Sequence, residues 1–131
     1  MLNTNTDDST TRAGFMPFTL YHNPRCSKSR QALQLLQEQG IEPQLRKYLD
    51  EPLNLDELKQ LLSQLDMTPR QLMRTGEEIY RELDLANTEL DDAQLLDALL
   101  QHPRLIERPI LSNGKQALVG RPPEQVLQLL K

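Results

Sequence analysis

Apolar and polar positions in the first third of the chain predict a strand, a helix and a second strand. The apolar run at 18–21 has the length of a strand, and 27–39 keeps helical spacing until Gly40 ends it. The run 44–49, which follows Pro43, is again extended in character. Elements in this order and at this spacing form a parallel βαβ unit.

Residues 54–102 differ from what precedes them, because leucines at helical spacing dominate the segment. Asn54 followed by Glu57 resembles a capping box, and Asp91 offers a later helix start before Pro103 stops the pattern. Helices are predicted at 55–65, from Thr68, at 77–83 and up to about Gln101. We interpret this segment as a helical insertion whose leucine stripes belong to the core.

The final third predicts a β-hairpin and a helix. Extended runs at 110–112 and 116–119 flank Asn113-Gly114, a strong hairpin signal, and 124–130 is an amphipathic helix that follows two prolines. The whole order predicts an α/β fold with a four-stranded mixed sheet. This is a thioredoxin-like layout with the helical insertion between its βαβ and ββα halves.

Length and composition indicate one soluble domain. The chain has 131 residues, of which 37% are hydrophobic and 26% charged, and its formal net charge of −4 argues against general nucleic-acid binding. No apolar run approaches the roughly 18 residues of a membrane span. We expect residues 1–17, which are polar, to form a mobile N-terminal tail and 18–131 to form the single domain. One cysteine excludes an internal disulfide, so we expect a cytoplasmic protein. We also expect a monomer.

The chain's single cysteine, Cys26, lies where the first strand has ended and the first helix begins. Free backbone N–H groups and the helix dipole favour an anion at such a position, and a thiolate is an anion. The same turn carries three cations, Arg25, Lys28 and Arg30. The alternative is a buried, inert cysteine beside a solvated charge run. The dipole and the cations favour a reactive thiolate, with a pKa below the free value of about 8.5.

Two polar neighbours are candidates for tuning this thiol. His22 precedes Cys26 by four residues; as imidazolium it would lower the thiol pKa, and as neutral imidazole it would accept the proton. A structural hydrogen bond at the strand end is its other interpretation. Ser29 either donates a hydrogen bond to the sulfur or an oxyanion, or is an ordinary first-turn serine. One cysteine and two separated histidines do not match a metal site.

Four segments resemble the glutaredoxin-linked, ArsC-like arsenate reductase family, namely TLYHNPRCSKSR, LMRTGEEIY, LLQHPRLIERPI and VGRPPEQVLQLL. They occur in the family's order from Thr19 to the C-terminus. The turn after the cysteine reads Ser-Lys where better-known members carry Gly-Thr, and the chain ends soon after the last helix, so it resembles a shorter branch.

The resemblance implies a thioredoxin-like fold, an arsenate-attacking Cys26 and three oxyanion-binding arginines, Arg74, Arg108 and Arg121. It also implies a cis peptide bond at Arg108–Pro109. Independently of the family, Arg108 and Arg121 each precede a proline beside the predicted hairpin, which restricts their backbone. Arginine suits an oxyanion because its planar fork donates paired hydrogen bonds and stays protonated.

We therefore expect arsenate, or a similar oxyanion, to form a covalent adduct with Cys26. Because Ser29 stands where a C-x-x-C motif has its second cysteine, an external thiol must release the adduct. The expected partners are glutathione, as co-substrate, and glutaredoxin, with no bound cofactor. Two alternatives remain open: an Spx-like RNA polymerase-binding regulator without a redox switch, and a glutathione-dependent thiol transferase.

Overall fold

A computed structural model of the chain describes residues 18–131, so the predicted tail at 1–17 lies outside the described part. The strands are β1 (Thr19–Tyr21), β2 (Gln44–Arg46), β3 (Ile110–Ser112) and β4 (Ala117–Val119). The α-helices are α1 (Ser27–Glu38), α2 (Leu55–Leu65), α3 (Pro69–Leu72), α4 (Glu78–Glu82) and α5 (Asp92–Gln101). In the described part of the chain, Pro103–Leu105 and Pro123–Leu130 are 3-10 helices.

The four strands form one mixed sheet in the order β2-β1-β3-β4. β1 and β2 are parallel, whereas β3 is antiparallel to both β1 and β4. Helices α2 to α5 all lie between β2 and β3 in the chain. The predicted α/β fold class, with a helical insertion between two halves, is confirmed.

Alternating side chains divide the sheet into two buried faces. Leu20 pairs with Leu111, and both pack against α1 and the C-terminal 3-10 helix. Ile110 instead belongs to the larger core that the insertion forms with the opposite face. The insertion therefore covers one side of the sheet, and α1 with the C-terminal 3-10 helix covers the other.

The predicted helix starts in the insertion are present as capping boxes. Asn54 and Glu57 exchange side-chain-to-backbone hydrogen bonds at α2, and Asp91 with Gln94 does the same at α5. Thr68 begins α3 with a third capping box. Each box satisfies N–H groups that lack partners within the helix, so these boundaries follow from local sequence.

Several predicted element bounds, and the type of the last helix, were wrong. β2 ends at Arg46 and not at 49, because the Tyr48 N–H bonds to the Arg46 carbonyl and the chain turns. β4 begins at Ala117 and not at 116. Gln116 belongs to the hairpin loop, because its backbone N–H donates to Asn113 Oδ1. The last helix is 3-10 rather than α, and its first bond runs from the Gln125 N–H to the Pro122 carbonyl, three residues back.

Within residues 18–131, no helix is long and apolar enough to cross a membrane. The same part of the chain contains no group of three or more His, Cys, Asp or Glu side chains placed to hold a metal ion.

Candidate active site

Cys26 is the N-cap residue of α1, as the sequence predicts. Its backbone is extended, with φ −91° and ψ 123°, as is usual for an N-cap residue, and helical geometry begins at Ser27. The Cys26 side chain is half-buried. The backbone N–H of Cys26 donates to the Asn23 carbonyl at 2.9 Å. The sulfur thus occupies the place where other N-caps hold an oxygen, beside N–H groups without helical partners.

The pKa of Cys26 lies below its usual value. Burial opposes ionisation, but the backbone N–H groups of Ser29 and Lys28 and the guanidinium of Arg108 together outweigh it. Neither N–H meets the sulfur with the geometry of a full N-cap hydrogen bond. The sequence interpretation looked to Arg25, Lys28 and Arg30 of the same turn. All three are exposed, and the charge that acts on the thiol pKa is that of Arg108.

Arg108 reaches the sulfur from the segment that leads into β3. The Arg108–Pro109 peptide bond is cis, which confirms the prediction, and Arg121–Pro122 is a second cis bond that was not predicted. Arg108 Nε is buried and has no hydrogen-bond partner within residues 18–131, and Nη1 lies 3.4 Å from the Arg104 carbonyl. Nε is therefore a donor that residues 18–131 leave available for a ligand.

Arg121 approaches Cys26 from the end of the hairpin. Its Nη2 lies 4.0 Å from Cys26 Sγ, at the limit of hydrogen bonding to sulfur, and its Nε donates to the Arg108 carbonyl at 2.7 Å. Gly120 makes this placement possible, because a Cβ there would lie 2.8 Å from Val126 Cγ1 and 3.0 Å from Pro109 Cγ. A larger residue at 120 would force the Pro109 segment and the Arg121 segment apart.

Arg74 joins the group through Glu107. The bridge between Met73 and Ile106 sets the two segments side by side, and the Arg74 N–H donates to the Leu105 carbonyl at 2.7 Å. One Glu107 carboxylate oxygen then lies 3.0 Å from Arg74 Nη1 and 3.0 Å from Arg121 Nε. The structure thus brings all three predicted arginines together with Cys26, although they come from distant parts of the chain.

His22 and Ser29 are both buried, but neither contacts the sulfur through its side chain in the way the sequence allowed. The pKa of His22 lies below its usual value, mainly because of burial and also because of Lys47 and Arg30, so the imidazole is neutral at pH 7. An imidazolium at His22 is therefore not what lowers the thiol pKa. The Ser29 hydroxyl lies 3.4 Å from the Asn23 N–H, and it is the Ser29 backbone N–H that acts on Cys26.

The structure adds a residue that the sequence analysis missed, Tyr48. Its ring is fully buried, and its hydroxyl has no hydrogen-bond partner in the described chain. Burial raises the pKa of Tyr48 to about 12, and the Arg108 charge beside it opposes this rise, so the phenol keeps its proton. Cys26 and Arg74 also act on this pKa, which places the hydroxyl among the same groups.

Glu107 is the second missed residue. A carboxylate inside the IERPI segment was a usable signal, since three converging arginines repel one another unless an anion lies between them. Tyr48 gave no such signal in the sequence, because an aromatic residue near a strand end is ordinarily a core residue. Only the hydroxyl, which has no partner in the described chain, distinguishes Tyr48 from an ordinary core residue.

The sheet joins a parallel βαβ unit to an antiparallel hairpin that is entered through a cis-proline, and a cysteine stands at the start of the first helix. These features define a thioredoxin-like protein. The chain belongs to the ArsC family, whose sequence model matches residues 21–129.

Relatives and a solved structure agree with that membership. An arsenate reductase of Haemophilus influenzae is 46% identical over 116 residues, covering 88% of this chain and all of the relative. One from Neisseria meningitidis is 50% identical over 113 residues, covering 85% and 96%. The structure of an arsenate reductase from Vibrio cholerae superposes with a TM-score of 0.83 at 51% identity, covering 86% of this chain and 97% of that one.

Proposed function

We propose that this protein reduces arsenate to arsenite through a covalent Cys26–arsenic intermediate, which glutathione and glutaredoxin resolve. The observation that carries the proposal is the meeting of a stabilised thiolate with guanidinium groups: Arg121 Nη2 lies 4.0 Å from Cys26 Sγ, and Arg108 lowers the pKa of the thiol. The names of the relatives support arsenate as the oxyanion.

The oxyanion is held by Arg74, Arg108 and Arg121 in this proposal. Arsenate carries one to two negative charges at neutral pH, so a thiolate approaches it only if those charges are offset. Arg108 has a free donor to offer, because its buried Nε has no partner among residues 18–131. Glu107 holds Arg74 and Arg121 in place at 3.0 Å each, and Glu77 lies 3.4 Å from Arg74, so three guanidinium groups stand against two carboxylates.

The first chemical step joins sulfur to arsenic. The Cys26 thiolate attacks As(V), an S–As bond forms, and one arsenate oxygen leaves as water after taking up protons. No electrons have yet been transferred to arsenic. Arginine donors stabilise the negative charge that accumulates on the remaining oxygens. Tyr48, which keeps its proton, donates a further hydrogen bond to one of those oxygens.

The second step needs a thiol from outside the chain, because Ser29 replaces the second cysteine of a C-x-x-C motif. Glutathione attacks the arsenic and displaces a second oxygen as water. When the two sulfurs then bond to each other, their two electrons reduce As(V) to As(III) and arsenite leaves. Glutaredoxin reduces the mixed disulfide and regenerates Cys26.

Ser29 and His22 have different roles in this account. Ser29 acts through its backbone N–H, and its hydroxyl helps to shape the loop at Asn23. His22, neutral at pH 7, is available to accept a proton rather than to supply a positive charge.

The test is arsenate-dependent NADPH oxidation, coupled through glutathione, glutathione reductase and glutaredoxin. Wild-type protein should sustain turnover, and Cys26→Ser should abolish it while the fold, followed by circular dichroism, stays intact. Arg108→Gln should lower kcat/KM about 10²-fold, in line with the loss of one oxyanion donor. Turnover of a glutathione mixed disulfide without any response to arsenate would instead identify a thiol transferase and refute arsenate reduction.

A further inference from the structure

Glu107 lies between two of the arginines of the site, one residue before Arg108 and its cis-proline. Its oxygen Oε1 lies 3.0 Å from Arg74 Nη1 and 3.0 Å from Arg121 Nε, and the side chain is partly buried. One anionic atom is thus shared by two guanidinium groups that come from different parts of the chain. Such a shared, partly buried acceptor is unlike an isolated surface ion pair, which contributes little.

The backbone holds Glu107 in this position. Its N–H donates to the Leu72 carbonyl at 2.9 Å, and the adjacent bridge joins Met73 to Ile106. These bonds fix the Glu107 backbone beside the segment that carries Arg74. Glu107 is therefore a resident part of the site and not a side chain that swings in from solvent.

Glu107 determines which edges of the two guanidinium groups are left for a ligand. In Arg121, Nε is taken by Glu107 and by a backbone carbonyl at 2.7 Å, and Nη2 is the atom that lies 4.0 Å from Cys26 Sγ. In Arg74, Nη1 is taken by Glu107, and Nε lies 3.4 Å from Glu77. Within the described chain, Nη2 of each arginine pairs with no carboxylate, so this is the atom that each arginine can offer to an oxyanion.

Glu107 also sets the charge of the site. The three guanidinium groups stand against the carboxylates of Glu107 and Glu77, which leaves one positive charge. The thiolate of Cys26 cancels that charge. Because the cluster with its nucleophile is then neutral, a second negative charge on an oxyanion gains little further attraction.

We propose that Glu107 is a positioning and specificity-determining residue that tunes the site to singly charged tetrahedral oxyanions. It directs Nη2 of Arg74 and of Arg121 to the ligand, and its charge withholds the extra attraction that a doubly charged oxyanion would otherwise gain. For the identity of the substrate this inference rests on the proposed function, and the form of arsenate that it selects is H₂AsO₄⁻.

Selection of the singly charged form suits the first chemical step. The Cys26 thiolate, H₂AsO₄⁻ and one proton give the adduct S–AsO₃H⁻ and water: an S–As bond forms, an As–O bond breaks, and arsenic stays As(V). The doubly charged form HAsO₄²⁻ needs two protons to give the same products. With H₂AsO₄⁻, a number of protons equal to the one that Cys26 released on ionising is sufficient.

The test compares two tetrahedral oxyanions of similar size, tungstate with two negative charges and perrhenate with one. Each is titrated against iodoacetamide alkylation of Cys26 at constant ionic strength, and every variant is referred to its own unprotected rate. Glu107→Gln keeps an oxygen acceptor and removes the charge, so it should tighten tungstate protection about tenfold relative to perrhenate protection. A general loss of structure would weaken both anions and would not move this ratio.

Glu107→Asp separates position from charge, because it keeps the carboxylate and shortens its reach. It should weaken protection by both anions severalfold and leave their ratio at the wild-type value. Glu89→Gln is the matched control, since Glu89 is exposed and makes no ion pair across residues 18–131.

Three results would overturn the proposal. They are an unchanged ratio in folded Glu107→Gln, a shift of the ratio in Glu107→Asp, and a shift in Glu89→Gln as large as that in Glu107→Gln. Absence of protection by either anion in wild-type protein whose Cys26 is reactive refutes it as well.

The coupled arsenate assay separates this inference from the function that it builds on. Arsenate turnover by the wild-type protein, together with an unchanged anion ratio in Glu107→Gln, would refute the role of Glu107 and leave arsenate reduction standing. The expected shift of the ratio, in a protein that never reduces arsenate, would uphold the role of Glu107 and refute only the arsenate chemistry.

Discussion

The guanidinium of Arg121 lies 4.0 Å from the sulfur of Cys26, although 95 positions separate the two residues in the chain. The approach depends on the antiparallel pairing of β3 with both β1 and β4, which brings the end of the hairpin back to the start of α1. A cation held at this distance by the fold remains in place when the thiol ionises, and no reorganisation is needed at the moment of reaction.

The first prediction concerns the thiolate. Because the pKa of Cys26 is lowered, the rate of its alkylation by iodoacetamide should reach half its maximum at a pH below that of a free thiol. Arg108→Gln should move this midpoint upward, since it removes both a hydrogen bond and a charge. A midpoint at or above the free value in the wild-type protein would contradict the account.

The same shift predicts how stability depends on pH. The folded protein loses the thiol proton at a lower pH than the unfolded chain, so its free energy of unfolding should rise with pH between the two pKa values. The gain is complete above the unfolded pKa and is lost as pH falls through the folded pKa. Cys26→Ser should lack this dependence, and denaturant unfolding across the range measures the difference.

The second prediction concerns the support of Arg121. Gly120→Ala places a Cβ 2.8 Å from Val126 Cγ1 and 3.0 Å from Pro109 Cγ, so it should destabilise the fold by about 1–3 kcal/mol. Urea unfolding measures this cost. Gly76→Ala is the matched control, because a Cβ at Gly76 meets nothing within 4 Å. Equal losses for the two variants would show that close packing at Gly120 is not the reason.

The third prediction concerns Tyr48. Tyr48→Phe keeps the buried ring and removes only the unpaired hydroxyl, so stability should change little or increase. Because the hydroxyl donates to an oxyanion oxygen in the proposed mechanism, kcat/KM for arsenate should fall roughly tenfold to a hundredfold. The pH at which Cys26 alkylation by iodoacetamide is half-maximal should change little. Unchanged arsenate kinetics in a stably folded variant would remove Tyr48 from the site.

Local structure was largely predictable from the sequence, whereas the tertiary contacts among the side chains of the site were not. Capping boxes at Asn54 and Asp91, and the strand-to-helix position of Cys26, depend on neighbours within a few residues, which a sequence displays directly. The partnership of Glu107 with Arg74 and Arg121 depends on two tertiary contacts at once. The origin of the thiol's low pKa was misassigned for the same reason, because Arg108 is distant in the chain and Arg25 is adjacent.

The fourth prediction concerns how Cys26 is reset. With one cysteine in the chain, turnover should occur with glutathione and glutaredoxin and should be essentially absent with thioredoxin and its reductase alone. Mass spectrometry of the arrested reaction should show a glutathione adduct on Cys26. Efficient multiple turnover on thioredoxin, with glutathione absent, would contradict an external small-thiol mechanism.

The central claim is that an oxyanion sits between the arginines and the Cys26 sulfur, and protection of the thiol measures it most directly. Arsenate should slow iodoacetamide alkylation of Cys26 in a saturable way. Arg108→Gln should weaken the arsenate protection about tenfold or more, after correction for its slower basal rate. Alkylation that does not respond to arsenate at any concentration, in a protein whose Cys26 is reactive, would contradict the account.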